Sequence, residues 1–372
     1  MVTDLASLTR CRRLVVKVGS SLLVEQGTPR TAWLVTLVTD LARLKASGTE
    51  IVVVSSGAIA LGAAKLGLKK GGRASLADAQ AAASVGQIAL AGLWANGLGT
   101  HDITAAQMLL TLEDLEDRRR YLNASATFER LLEAGAVPVV NENDSVATEE
   151  IRFGDNDRLA ARVAQAAAAD AVLLLSDVDG LFDRDPAKGG ATLIERVEGI
   201  SQAVLDMASG ASSSGMGSGG MASKLQAAQI AERAGIALAI INGKQDSPIS
   251  TAISTGRGTV FLPQRSDGAR KAWLGGRLAP SGTLRVDQGC ATALEGGASL
   301  LAAGIVGVSG EFRRGDLVSI VSMAGQALAQ GLAEYSAVEV QAIAGKRAED
   351  QVERLGYAPR SCVVHRDHMV LL

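Results

Sequence analysis

The chain has 372 residues, 47% hydrophobic and 3% aromatic, with 37 Lys and Arg against 39 Asp and Glu and a formal net charge of −2. That length accommodates two or three domains around a large aliphatic core, and the balanced charge excludes a global electrostatic grip on nucleic acid or anionic lipid. Cys11, Cys290 and Cys362 are scattered without Cys-x-x-Cys spacing, which argues for a reducing compartment and against a disulfide framework.

The N-terminus has no long apolar run and does not read as a signal peptide. Leu14–Val18 reads as the first strand, and a helical pattern follows from Thr31 to about Ala46, with Gly48 as its stop. Ile51–Val54 is a second buried strand, and Ser55-Ser56-Gly57 leads into another helix. Residues 79–100 are uncharged and long enough to span a bilayer, but Gln80, Ser84, Gln87, Asn96 and several glycines lower their apolarity. A buried, Ala-rich helix in a soluble, cytoplasmic protein is the expectation. Val137–Val140, Ala171–Leu175 and Ala237–Ile241 complete a series of Val/Ile/Leu runs separated by helices. That alternation marks an α/β fold, a three-layer αβα sandwich with a mostly parallel central sheet.

The pattern changes near residue 263. Pro263 to Gly282 is rich in Arg, Gly and Pro and reads as a linker. Short β-type runs follow at Gly282–Val286, Gly304–Val308, Leu317–Val321, Ala327–Gly331 and Cys362–Val364, with helix-like pieces at Ala291–Glu295 and Glu339–Ala344. A small β-rich second domain, of barrel type, is predicted. The expected boundaries are residues 1–262 for the first domain, 263–281 for the linker and 282–372 for the second domain.

Chemistry concentrates where strands end. Asn141-Glu142-Asn143-Asp144 comes straight off the Val137–Val140 run, and Gly154-Asp155-Asn156-Asp157 opens the next helix. In open α/β sheets ligands bind beyond the carboxyl ends of the strands, so these carboxylates and amides suggest recognition of a small polar molecule. The competing reading makes Asp155 or Asp157 a helix N-cap in a solvated loop. Lys17-Val18-Gly19-Ser20 and Ser55-Ser56-Gly57 carry glycines that let a ligand approach backbone N–H groups. Lys17 lies within a strand, where an ammonium needs an anion or a cavity; an edge-strand lysine is the alternative.

Residues 209–224, Ser-Gly-Ala-Ser-Ser-Ser-Gly-Met-Gly-Ser-Gly-Gly-Met-Ala-Ser-Lys, run into a helix and form the phosphate-loop candidate, with Lys224 adding a mobile positive charge. Gly215-x-Gly217-x-x-Gly220 lacks the preceding strand that a dinucleotide fingerprint needs, and Ser223 stands where a P-loop has glycine before its lysine. A flexible Gly/Ser linker is the other reading. Ser176-Asp177-Val178-Asp179-Gly180 offers a nucleotide or metal contact, or simply a turn at Asp179-Gly180. His365-x-x-His368 lies in a strand-like context, where that spacing separates the two side chains across opposite faces. Lysines, a glycine-rich loop and aspartates with amides suit phosphoryl transfer, which depends on positioning and charge stabilisation. A carboxylate acceptor is already ionised and needs no general base.

On these residues the chain resembles the amino acid kinase superfamily, most closely the branch that phosphorylates glutamate, followed by a PUA domain. The resemblance rests on Val15–Ser21, Ser55–Ala60, Asn141–Thr148, Gly154–Asp157 and Gly219–Ala228. It implies that Lys17 and Lys224 stabilise the transferring phosphoryl group and that Asp157 orients both lysines. Ser56, Asp144 and Asn156 would hold glutamate. Lys17, Gly19, Ser176 and Asp177 would bind ATP, together with Ser218, Gly219, Gly220, Met221, Ala222, Ser223 and Lys224. The implied reaction converts ATP and L-glutamate to ADP and L-glutamyl 5-phosphate, the first step of L-proline synthesis. Mg2+ would accompany ATP, with no protein ligand assigned to it.

The resemblance further implies feedback inhibition by L-proline around Glu149, Glu150 and Ile151, and a homo-oligomer, either dimer or tetramer. It also implies functional coupling to glutamate-5-semialdehyde dehydrogenase. Ser20 and Ser55 stand where threonine is common, Ala222 where serine is common, and His368 where the residue is often acidic. From Gly282 onward 8 Lys and Arg face 10 Asp and Glu, so the second domain is not expected to bind RNA despite its PUA type. The rival readings are a sister kinase for acetylglutamate, aspartate, carbamate or UMP, an RNA-binding protein on a degenerate kinase fold, and a non-catalytic amino-acid sensor.

Overall fold

The computed structural model describes residues 2–146, 155–186, 189–209, 220–263 and 280–372. Two compact units emerge, Met1–Glu116 with Asn123–Ser266, and Asp117–Leu122 with Asp267–Leu372.

The first unit contains β1 (Arg13–Val18), β2 (Val24–Glu25), β3 (Thr28–Pro29), β4 (Glu50–Ser55), β5 (Ala105–Leu110), β6 (Val137–Glu142), β7 (Ala171–Ser176), β8 (Arg196–Glu198), β9 (Ala237–Asn242) and β10 (Thr259–Leu262). Eight of them form one sheet in the order β5-β6-β4-β1-β7-β9-β10-β8. Pairing is parallel except between β9 and β10. The five expected strands are its centre. β5, β8 and β10 were not foreseen: Ala-Ala-Gln-Met-Leu-Leu in β5 has no β-branched residue, β8 has only 3 residues, and β10 only 4.

β1 and β7 are buried along their whole length, as a sheet covered on both faces requires. Leu14, Val16 and Val18 point into a core shared with the helices Thr31–Ala46, Leu76–Gly99 and Pro248–Thr255. Val15 and Lys17 alternate to the opposite face, where the helices Asp155–Ala166 and Met221–Arg233 pack on each other. Lys17 therefore points at the start of both helices.

The helix Ala58–Leu66 starts beyond the end of β4 and packs against the first half of Leu76–Gly99. Their backbones meet glycine against glycine: a Cβ on Gly62 would lie 1.8 Å from the Ala82 carbonyl oxygen, and one on Gly86 1.8 Å from that of Ala58. Only glycine permits that approach. The buried, Ala-rich helix expected over 79–100 is Leu76–Gly99, with Ala82, Leu90 and Trp94 buried and Ile88 79% exposed on another face. Among the described residues no helix is long and apolar enough to cross a membrane.

The second unit carries β11 (Gly282–Val286), β12 (Ile305–Gly310), β13 (Leu317–Val321), β14 (Ala327–Leu332) and β15 (Met369–Leu371), ordered β12-β11-β13-β14-β15. It has its own core around Leu284, Ile320, Tyr335 and Val364. The helix Ala337–Ile343 begins with a full capping box between Ser336 and Glu339. Two expectations are corrected here. Cys362–Val364 is not a strand; Val364 makes a lone bridge with Leu300, and the final strand is Met369–Leu371. His365 and His368 flank a 3-10 turn instead of alternating along a strand, so their ring centroids are 5.6 Å apart. Most of the expected linker, residues 264–279, lies outside the described residues.

Candidate active site

The site grows from the carboxyl rim of the sheet. Lys17, the penultimate residue of β1, is paired across to Val54 of β4 and Leu174 of β7. β1 is thus a central strand, and the reading of Lys17 as an edge lysine is overturned. Its ammonium lies 2.5 Å from Asp157 Oδ1. Lys224, in the first turn of Met221–Arg233, lies 3.1 Å from Asp157 Oδ2. Asp157 has no exposed side-chain surface, and the lysine side chains keep 9% and 7%. Asp157 is therefore no solvated N-cap, and Lys224 is no mobile charge: one buried carboxylate holds the two ammonium groups together.

The electrostatics of this trio follow from burial. Burial opposes the charged form of Asp157, but attraction and hydrogen bonds from Lys17 and Lys224 outweigh it and hold the carboxyl below its usual range. Burial pulls the Lys17 ammonium below its ordinary value; Asp157 resists this, and repulsion from Lys224 adds to it. Two ammonium groups meet at the one carboxylate of Asp157, so an arriving anion would find both of them at the same place.

Beside this cluster lies a set of amides and hydroxyls. Asn156 Nδ2 donates to Ser56 Oγ at 2.6 Å and to Asn141 Oδ1 at 3.2 Å. Asn141 Nδ2 donates in turn to Gln87 Oε1 at 2.8 Å. The carbonyl oxygen Asn156 Oδ1 is buried and accepts no hydrogen bond from the described residues. A buried acceptor without a donor is costly, and it suits a ligand N–H. Asp144, 8% exposed, stands past the end of β6, and its charge favours the ionised form of Arg73 against the desolvation that opposes it. Gly57 precedes Ala58–Leu66 at φ +123°, a conformation that only glycine adopts freely.

On the other side of Lys17, Ser176 is buried at the end of β7 and Asp177 is exposed just beyond it. Asp177 also favours the charged form of Lys17. Gly19 leads into the short helix Ser20–Leu23. Gly220 caps Met221–Arg233, so the positive end of that helix, with Met221, Ala222 and Ser223, faces the cluster. Ser223 Oγ approaches Asp157 Oδ2 at 3.4 Å.

The described candidates thus fall into the Lys17–Asp157–Lys224 trio, an amide set beside it, and a group around Ser176, Asp177 and Gly220–Ser223. Ser218, Gly219, Glu149, Glu150 and Ile151 lie outside the described residues. Asn141 was read as part of the polar cluster after Val137–Val140 and Gln87 only as a residue that lowers the apolarity of residues 79–100; their contact was not foreseen. Gln87 is one of three amides in the Ala-rich helix Leu76–Gly99, and nothing in the spacing says that it is the one that meets Asn141.

Comparison with known proteins places the chain in a family. The profile of the amino acid kinase family matches residues 12–242, and that of the PUA domain matches residues 282–355. The chain is 62% identical over 375 residues to the glutamate 5-kinase of Novosphingobium aromaticivorans, covering 100% of both chains. It is 60% identical over 363 residues to that of Sphingopyxis alaskensis, covering 97% of this chain and 98% of the relative. To that of Zymomonas mobilis it is 54% identical over 364 residues, covering 97% and 92%.

Proposed function

Since the chain belongs to the amino acid kinase family and carries a PUA domain, we propose that it transfers the γ-phosphoryl group of ATP to the γ-carboxylate of L-glutamate. The products are ADP and L-glutamyl 5-phosphate, and the reaction opens L-proline synthesis. The observation that carries this reading is the buried cluster in which Asp157 brings the ammonium groups of Lys17 and Lys224 together.

The chemistry follows from those ammonium groups. A glutamate γ-carboxylate and a triphosphate repel each other, and Lys17 and Lys224 offset the repulsion from two sides of the transferring group. A carboxylate oxygen forms the new bond to γ-phosphorus as the bond to the ADP oxygen breaks. No proton leaves the acceptor, so no general base is required. Asp157 sets the direction of both ammonium groups, a preorganisation that costs nothing at the moment of reaction. Glutamate binding is assigned to Ser56, Asp144 and Asn156. The unmatched Asn156 Oδ1 and the carboxylate of Asp144 suit its α-ammonium. ATP binding is assigned to Lys17, Gly19, Ser176, Asp177 and Gly220–Lys224, with Ser218 and Gly219 next to them in sequence. Mg2+ is proposed to enter with the phosphates and to lower their charge. Among the described residues no group of three His, Cys, Asp or Glu side chains gathers to hold a metal.

Inhibition by L-proline through Glu149, Glu150 and Ile151, and assembly as a homo-oligomer, belong to the same proposal. The test is a glutamate-dependent ADP release assay with hydroxylamine trapping the acyl phosphate as hydroxamate. Hydroxamate from glutamate is expected; faster turnover of aspartate, acetylglutamate, carbamate or UMP would overturn the assignment.

A further inference from the structure

Beyond β7 the chain does not wander. Asp179 accepts a hydrogen bond from Asn242 Nδ2 on Oδ1 at 2.9 Å and from Arg257 Nε on Oδ2 at 2.7 Å. Asn242 is the last residue of β9, and its own Oδ1 receives the Lys244 N–H at 2.9 Å. Arg257 lies two residues before β10. Two residues beyond Asp179, the Leu181 N–H donates to Thr259 Oγ1 at 2.8 Å, and Thr259 Oγ1 donates to the Ile194 carbonyl at 2.6 Å. At the root of the segment, the Ser176 carbonyl receives the Gly243 N–H at 2.8 Å. The segment Asp177–Leu181 is therefore fastened to β9 and β10 at three points. Burial opposes the charge on Asp179, but Asn242 and Arg257 outweigh it and keep its carboxyl ionised below the usual range.

We propose that Asp179, clamped by Asn242 and Arg257, is a positioning residue for the nucleotide, fixing the segment that presents Ser176 and Asp177. This rests on the reading that Ser176 and Asp177 bind ATP. Both oxygens of Asp179 are engaged by protein donors, so it acts through its neighbours and not by contact. Arg257 is 63% exposed, and exposed ion pairs contribute little to global stability. Loss of the clamp is expected to loosen one short segment and leave the fold intact. The glutamate-side residues Ser56, Asn141 and Asn156 form a separate hydrogen-bonded set, so they should not register the change.

The test compares Asp179→Asn, Arg257→Ala and Asp177→Asn in the full chain. Asp179→Asn and Arg257→Ala are expected to raise the KM for ATP roughly tenfold, with glutamate KM and kcat at saturating ATP changed by less than about twofold. The melting temperature should hardly move. A lowered melting temperature with both KM values unchanged would reduce Asp179 to a purely structural residue and overturn the proposal. A fall in kcat alone would do the same. If Asp177→Asn raises the ATP KM while Asp179→Asn does not, the clamp is refuted and the nucleotide reading stands. If Asp177→Asn leaves the ATP KM unmoved, the nucleotide reading fails and the clamp, having nothing to position, fails with it.

Discussion

Asp157 carries one negative charge between two ammonium groups, 2.5 Å from Lys17 and 3.1 Å from Lys224, in a place with no solvent exposure. Burial and the nearby Lys224 make Lys17 give up its proton below the ordinary lysine value, while Asp157 opposes that loss. The sign for activity follows. Transfer needs the ammonium form, so kcat/KM for ATP falls on the alkaline side before an ordinary lysine titrates. Bound phosphate favours the ammonium, so the alkaline limb of kcat lies at higher pH than that of kcat/KM. Asp157→Asn removes the favourable charge and moves the kcat/KM limb to lower pH; a limb that moves upward in pH–rate profiles would contradict this account. Much of the trio was legible from sequence because a lysine inside an apolar strand demands an anion. Which anion came only from the family resemblance, which named Asp157; the residues alone did not say, since Asp157 is 140 positions away and lies in the first turn of a helix, where an ordinary cap would stand. Gln87 was hidden for the same reason, its partner Asn141 being distant in the chain.

The helices that wall the amide set depend on two glycines. Added at Gly86, a Cβ would lie 1.8 Å from the Ala58 carbonyl oxygen, which is backbone and cannot rotate away. Gly86→Ala is expected to push the helices Ala58–Leu66 and Leu76–Gly99 apart and to cost about 1–3 kcal/mol or more in urea unfolding. Gln87 is the next residue, so the glutamate KM should rise with it while the ATP KM stays close to its original value. An unchanged urea midpoint would show that the crossing relaxes freely. At this scale the sequence spoke unevenly. Thr31–Ala46 was legible to its ends because its apolar spacing is regular and Gly48 stops it. β5 was not, because Ala, Gln, Met and Leu favour helix in isolation and its strand form depends on pairing with β6. The C-terminal strand was misplaced because Cys362-Val363-Val364 has the stronger β composition, whereas pairing with β14 falls to Met369–Leu371.

Two compact units with separate cores make up this chain, and the amino acid kinase match falls on residues 12–242. The second belongs to a class of modules that includes RNA binders, yet from Gly282 onward 8 basic residues face 10 acidic ones. RNA affinity at about 0.15 M salt is expected to be absent in gel-shift measurements on the full chain, because nonspecific binding scales with the phosphates neutralised. Retardation that weakens steeply with added salt would reverse this. The change in composition near residue 263 predicted a second, β-rich domain, but nothing in the sequence predicted that Asp117–Leu122 groups with the second unit, since that grouping depends on contacts between residues distant in the chain. The central claim is that Lys17 and Lys224 meet at one carboxylate in order to act on a phosphoryl group. Its most direct test is the single-turnover rate of Lys224→Ala at saturating ATP and glutamate. The account predicts a fall of about 10²–10³-fold with glutamate affinity kept; an unchanged rate, or a loss confined to glutamate binding, would contradict it.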